Sequence, residues 1–301
     1  MKRDQPFLVC IVGPTAIGKT ALSIKLASHF TTEIVSADSR QFFKEMKIGT
    51  AVPAEEELSQ AKHHFIQHIS IQDNYNVGKF ENDAIAVLGD IFESNSKAIL
   101  VGGSGLYHKA VTEGLVSFPE IPSGIRKKYN DILDTEGIER LQGLLLKKDP
   151  ETYRTIEISN PRRLTRALEV LEVSGKSFSH FQNQNKKKRQ FEVVKIGLDA
   201  PREVIYNRIE QRVDLMIGQG LVKEAKRLYP FRHFNALQTV GYKELFAYFD
   251  GELNLDQAIS EIKKNTRRFA KRQLTWFKKD PDIQWFHFET PSEEIITHIK
   301  T

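Results

Sequence analysis

The chain predicts an α/β protein: a P-loop parallel sheet flanked by helices, carrying a mostly helical insertion. Three observations predict it. An apolar run, Phe7-Leu8-Val9-Cys10-Ile11-Val12, leads into Gly13-Pro14-Thr15-Ala16-Ile17-Gly18-Lys19-Thr20 and then a helical pattern with Leu22, Leu26 and Phe30 on one face. Further short apolar runs, 33–36, 98–101, 193–198 and 283–288, alternate with helical stretches, as in a sheet built from strand–helix–strand units. Between about 116 and 189 strand patterns stop, and helical ones dominate at 125–134, 137–148 and 161–174. The expected division is therefore a core of 1–115 with 190–301 and an insertion of 116–189.

The first run is too short for a helix and too apolar for a surface strand. The stretch after it, G-x-x-x-x-G-K-[ST], lets the backbone curl until several N–H groups point at one anion, and the helix start adds partial positive charge. Gly13 to Thr20 are thus the expected diphosphate- or nucleotide-binding residues. Lys19 would neutralise phosphate oxygens and Thr20 would hold Mg²⁺. The loop by itself names a di- or triphosphate and no reaction.

The second run enters Ala37-Asp38-Ser39-Arg40-Gln41. Polar residues at the carboxyl end of such a strand are where open α/β sheets place ligands, so Asp38 can face the phosphate loop. Asp and Ser here also suit a turn or cap, and the two readings stand side by side. Next come Ile48-Gly49-Thr50-Ala51-Val52-Pro53, three glutamates at 55–57, and His63, His64 and His68. No acidic or cysteine partner stands at ligand spacing from these histidines, which reads as a surface cluster rather than a metal site. The run 98–101 ends in Gly102-Gly103-Ser104-Gly105, whose glycines allow either close backbone approach to a ligand or a tight turn before a helix. A nucleotide-hydrolysing P-loop enzyme usually ends such a strand in an Asp for Mg²⁺; the nearest substitute is Asp38.

Arg162, Arg163 and Arg166 lie at helical spacing within the insertion, suited to a phosphate backbone or to a solvated face offset by Glu169 and Glu172. Lys186 to Arg189 form a basic run leaving the insertion. The helix at 201–217 carries Arg202, Arg208 and Arg212 and can reach over the phosphates as a lid. A last long helix, 254–279, concentrates basic residues with Phe269, Trp276 and Phe277 among them. Its sequence has no acid between Glu261 and Asp280, which points to a nucleic acid or polyphosphate. The three aromatics read as core.

Composition bounds the rest. Of 301 residues, 40% are hydrophobic, enough for a substantial core, and the net charge of +5 permits a nucleic-acid partner without requiring one. A single cysteine, Cys10, excludes an intramolecular disulfide and an all-cysteine zinc site. The start lacks a signal-peptide pattern, and no apolar run approaches the ~18 residues of a membrane span, so a cytoplasmic protein is expected.

The motifs GPTAIGKT (13–20), VSADSRQ (35–41), IGTAVP (48–53), YNVGKF (75–80), VGGSGLY (101–107), RRLTRALEV (162–170), QTVGYKEL (238–245) and TRRFAKRQLTWF (266–277) occur in this order. Over nearly the whole chain this resembles the tRNA dimethylallyltransferase family, also called tRNA isopentenyltransferase. The resemblance implies transfer of a dimethylallyl group from dimethylallyl diphosphate to the exocyclic amine of an adenine beside the tRNA anticodon. It implies that the loop holds the donor's diphosphate, that Asp38 is the general base, and that Lys19, Ser104 and Arg212 complete the catalytic set. Asp38, Ser39, Arg40, Gln41 and Ser104 would meet the target nucleotide. Arg162, Arg163, Leu164, Thr165 and Arg166 would contact tRNA. Ser104 stands where the family usually has Thr, and Asn160 where it often has Asp. An apolar pocket near Phe42 or Leu106 would receive the five-carbon group. The partners implied are tRNA and the prenyl donor with Mg²⁺, no membrane, and a monomer. A small-molecule kinase using Asp38 toward a hydroxyl, an enzyme prenylating free adenine nucleotides, and a non-catalytic RNA-binding module are the alternatives. The arginine-bearing insertion and the basic last helix weigh against the kinase.

Overall fold

A computed structural model describes residues 5–116, 118–182 and 188–300. The first strand, β1 (Phe7–Val12), is followed by α1 (Lys19–Phe30), β2 (Ile34–Ser36), α2 (Glu55–Leu58), β3 (His63–His64), α3 (Val77–Ser94), β4 (Lys97–Val101) and α4 (Gly105–Glu113). A helical stretch then holds α5 (Ser123–Glu136), α6 (Ile138–Lys148), α7 (Pro150–Thr155), α8 (Pro161–Ser174) and α9 (Phe178–Gln182). The chain returns through β5 (Glu192–Asp199), α10 (Arg202–Gly218), α11 (Leu221–Leu228), α12 (Tyr242–Phe249), α13 (Leu255–Phe277), β6 (Ile283–His287) and α14 (Ser292–Lys300). It forms two compact units, Met1–Glu113 with Arg189–Thr301, and Gly114–Lys188.

In the larger unit all strands pair parallel in the order β3-β2-β4-β1-β5-β6. Parallel strands joined by crossover helices are covered on both faces, which is why β1 reads as one apolar run. Leu8, Cys10, Val35 and Leu100 enter one core. Val9, Ile11, Ile34 and Ile99, the alternate residues, enter the other. β1 lies centrally between β4 and β5, so the loops that follow the strand ends open beside one another. β3 was invisible to sequence reading, because two residues carry no period.

Burial settles the histidines differently from expectation. They are partly buried rather than a surface cluster: His64 Nε2 is 2.6 Å from Glu33 Oε2, and His68 packs edge-on against Phe42, Phe65 and Tyr75. Arg189 is also more than a basic exit. It donates to Glu81 at 2.6 Å and to the carbonyls of Ala110 and Val111 at 2.6 and 2.8 Å. Lys186 and Lys187 lie outside the described residues.

His108 on α4 is fully buried, with Nε2–H donating to Gly102 O at 3.2 Å, and burial pushes its pKa down to about 3. The unfolded chain binds a proton there below about pH 6.5 and the folded chain does not, so stability falls as pH drops. Between pH 7 and 5 this group alone is expected to remove about 2 kcal/mol. Urea titrations across that range should show a flatter pH slope for His108→Gln.

In the smaller unit α5, α6 and α8 pack around Tyr129, Leu141, Leu145, Leu164 and Leu168. Asn160 Oδ1 accepts from Arg163 N at 3.3 Å and Pro161 takes the first helical position, so the Asn is a helix cap needing no charge. Arg162 and Arg163 are exposed with no acidic partner among the described residues. Arg166 is held by Glu169 at 3.4 Å and lies 5.3 Å from the Phe118 ring. Leu164 is fully buried in this core and Thr165, also buried, turns its hydroxyl to the Arg162 carbonyl at 3.1 Å. The row is set by helix period, and the side chains of its inward half serve packing.

Candidate active site

The phosphate loop leaves β1 with Ala16 and Gly18 at positive φ, 65° and 109°. At Gly13 a Cβ would stand 2.6 Å from Leu198 O, so only glycine lets the loop pass β5 this closely. Lys19 Nζ curls back to donate to Gly13 O at 3.1 Å and Pro14 O at 2.7 Å. α10 meets the loop through two of its three arginines. Arg208 Nε donates to Ala16 O at 2.7 Å, and Arg212 Nη1 to Thr15 Oγ1 at 3.3 Å. Arg202 stays exposed and takes no part.

Beside the loop, β2 ends and Ala37 N–H donates to Val101 O at 2.7 Å. Asp38 Oδ1 accepts from Arg40 N at 3.1 Å, so the turn-forming reading is correct for one carboxylate oxygen. The other has no hydrogen-bond partner among the described residues, and Asp38 lines the same cavity as Lys19 and Arg212. Ser104 fixes this segment: its Oγ accepts from Ser39 N at 3.2 Å and lies 3.1 Å from Ser39 Oγ. The hydroxyl alone makes these bonds, so the methyl of a Thr is dispensable for them. Arg40 and Gln41 bind the scaffold. Arg40 Nη1 donates to Ala236 O at 3.1 Å, and Gln41 Nε2 to Ala51 O at 2.9 Å. Their side chains therefore frame the cavity wall.

The cavity measures about 1670 Å³. That exceeds the roughly 300–1,000 Å³ of ordinary small-molecule pockets and suits two reactants side by side. Burial pushes the Lys19 pKa down to about 8, opposed by the charge of Asp38 and aided by that of Arg212. Burial likewise lowers the Arg212 pKa, and Asp38 and Glu57 resist it. The Asp38 charge thus acts on both the ammonium and the guanidinium, which line one cavity with it. The sign for binding is direct: an anionic ligand favours charged Lys19, and free enzyme loses that charge as pH rises through about 8. For a diphosphate ligand, kcat/KM is expected to fall above that pH by up to about tenfold per unit. Lys19→Arg should remove that limb of the pH–rate profile.

Thr20 lines the cavity and its hydroxyl has no partner among the described residues. A hard oxygen beside a bound phosphate fits Mg²⁺, which takes most of its remaining ligands from water and phosphate. No group of three or more His, Cys, Asp or Glu that could hold a metal occurs among the described residues.

Other residues of the site were missed by sequence reading. Gln273, only 6% exposed, accepts from Thr15 N at 2.9 Å and donates to Gly103 O at 3.0 Å. A Cβ at Gly103 would stand 2.1 Å from Gln273 Nε2, and one at Gly105 2.1 Å from Trp276 Nε1. These glycines make room for α13 rather than for a ligand. Of the aromatics read as core, only Phe277 is buried; Phe269 and Trp276 are 37% and 45% exposed and line the cavity. Leu106 lines it too, whereas Phe42 lies in the core against Phe80 and Tyr75 and cannot line a pocket. The row 269, 273, 276 is one helix face, the signal that could have joined Gln273 to the aromatics. The basic helix is also partly neutralised from outside it. Lys263 pairs with Asp214 at 2.7 Å, Arg267 with Glu210 at 2.5 Å, and Lys278 with Asp199 at 2.8 Å. Arg268, Lys271 and Arg272 keep no acidic partner among the described residues.

A phosphate loop, an arginine lid and a carboxylate at the next strand end, around a cavity for two reactants, define a P-loop group-transfer enzyme. Residues 41–280 match the family model described as IPP transferase. The chain is 60% identical over 295 residues to the tRNA dimethylallyltransferase of Christiangramia forsetii, covering 98% of each. It is 56% identical over 299 residues to that of Flavobacterium johnsoniae, covering 97% of each. Its structure resembles the full-length tRNA isopentenylpyrophosphate transferase of Bacillus halodurans, with TM-score 0.72, 36% identity, and 98% and 94% of the two chains covered. A eukaryotic dimethylallyltransferase solved acting on tRNA matches with TM-score 0.84 at 26% identity, over 97% and 78% of the chains. This chain belongs to the IPP transferase family.

Proposed function

We propose that this protein transfers the dimethylallyl group of dimethylallyl diphosphate to the exocyclic amine of an adenine adjacent to the anticodon in tRNA. The observation that carries the reading is a phosphate loop and an available carboxylate oxygen sharing one cavity large enough for a nucleobase and a prenyl donor. The adenine must leave its stack to enter, at a cost of a few kcal/mol, which an unpaired loop keeps small. As the amine nitrogen bonds to the allylic carbon, the carbon–oxygen bond breaks and its electron pair leaves with the diphosphate. Lys19, Arg212 and the loop N–H groups stabilise that charge in place. Asp38 takes the proton that the alkylated amine releases. Thr20 would hold Mg²⁺, which when bound adds charge neutralisation at the leaving oxygens.

Ser39 and Ser104 set the wall beside the adenine, with Arg40 and Gln41 behind it. Arg162, Arg163 and Arg166 meet tRNA phosphates, α8 contributing Leu164 and Thr165 through packing alone. Leu106 and Trp276 line the space for the five-carbon group. No helix among the described residues is long and apolar enough to cross a membrane, and we place the protein in the cytoplasm with its tRNA.

The test is incubation with labelled dimethylallyl diphosphate and unmodified tRNA. Label in N6-alkylated adenosine beside the anticodon is expected. Label passing to AMP and not to tRNA would replace the acceptor, and phosphate passing from ATP to a small metabolite would replace the reaction.

A further inference from the structure

We infer that Gln273 is a positioning residue that couples the donor half of the cavity to the acceptor half; the inference rests on the transfer reading above. Its amide sits between two loops that share no direct covalent neighbour. Oε1 accepts the N–H of Thr15 in the phosphate loop at 2.9 Å. Nε2 donates to the carbonyl of Gly103 at 3.0 Å. Thr15 offers a donor and Gly103 an acceptor, so only one orientation of the amide satisfies both. The next residue, Ser104, holds Ser39 by its hydroxyl, and Ser39 follows Asp38. A chain of bonds therefore runs from the loop that grips the diphosphate, through Gln273, to the base.

Two features show that this strut is built to a fixed length. Gln273 is 6% exposed and its bond to Gly103 is buried, so water has little access to that bond. Any Cβ at position 103 would collide with Nε2 at 2.1 Å, so the glycine there is a seat for the amide. The strut also assigns one phosphate-loop N–H to the protein: the Thr15 amide is committed to Gln273, leaving anion binding to the rest of the loop. Reactivity between two bound partners depends on their separation, and about 1 Å of misplacement costs about 10²-fold in rate. Gln273 acts on that separation and touches neither reacting atom.

Three variants test it in the full-length protein. Gln273→Met keeps the bulk and loses both bonds. It is expected to lower single-turnover transfer from dimethylallyl diphosphate to tRNA about 30- to 100-fold, with the Kd for each changed less than about threefold. Gln273→Glu keeps the acceptor for Thr15 but, when ionised, has no donor for Gly103. Its rate relative to wild type is expected to rise as pH falls and the carboxyl regains a proton; a merely structural residue would give no such profile. Gly103→Ala should reproduce the Met defect and add little to it in the double variant. A readout free of transfer is hydrogen exchange. Peptides spanning 13–20 and 101–106 should exchange at least about tenfold faster in Gln273→Met, whichever group the enzyme transfers.

A Met variant within about threefold of wild-type rate, or one whose exchange stays unchanged in both segments, overturns the inference. So does a loss in which donor Kd rises as much as the rate falls. An inert wild type with the exchange result intact would overturn the transfer reading and leave the strut standing.

Discussion

Replacing Asp38 by Asn is expected to lower kcat for tRNA prenylation by about 10²- to 10⁴-fold, with the Kd for tRNA changed less than about threefold. The variant is chosen because it separates chemistry from architecture. Oδ1 accepts from Arg40 N at 3.1 Å, and an amide oxygen can do the same, so the turn survives. What disappears is the ability to take a proton, together with the negative charge that opposes the downward push on Lys19 and Arg212. A second consequence follows: the Lys19 pKa should drop further, moving the fall in donor kcat/KM to lower pH. Single-turnover measurement with saturating donor reads the first effect and a pH–rate profile the second. An Asp38→Asn enzyme at near wild-type rate would remove Asp38 from the proton transfer.

Glu224→Ala is expected to destabilise the fold by about 3–5 kcal/mol. Glu224 is 6% exposed on α11, and its carboxylate accepts from Lys47 N at 3.1 Å, Ile48 N at 2.9 Å, Gly49 N at 2.9 Å and the Tyr242 hydroxyl at 2.7 Å. Burial, with the neighbouring Glu224, pushes the Tyr242 hydroxyl pKa up, so it remains a donor throughout the working range. Truncating the acid strands three backbone N–H groups and a hydroxyl at once. Because that loop continues to Thr50 and Ala51, whose carbonyls take the Gln41 amide, the cavity wall should loosen as well. Urea denaturation reads the stability term. Transfer at a temperature where the variant is still folded should be reduced at least severalfold. A stability loss under about 1 kcal/mol would mean that water replaces the carboxylate without penalty.

These two residues mark where sequence reading succeeds and where it stops. The phosphate loop and Asp38 were legible because each is a local pattern: an apolar strand, then residues whose backbone or charge has an obvious use at a strand end. The helices of the insertion were legible by their period. Glu224 was not, because its Gly49 partner lies on a loop 175 residues earlier in the chain and nothing near it marks a clamp. Gln273 meets partners 258 and 170 residues away, and along its own helix it looks like any polar residue among basic ones. The charge of α13 was overcounted for the same reason. A helix read alone shows its cations, while Asp214 and Glu210 reach it from α10. Phe269 and Trp276 were assigned to the core because aromatic residues at helical spacing usually belong there; a cavity-facing row uses the same spacing.

Arg189 carries a consequence for how the larger unit joins its two segments. Its guanidinium grips the carbonyls of Ala110 and Val111 and the carboxylate of Glu81, so the larger unit clasps its own chain where it leaves at 113–114 and where it returns at 188–189. The smaller unit, for its part, has a hydrophobic cluster of its own. Both ends of the inserted segment are thus fastened by one side chain, and the larger unit closes its own gap there.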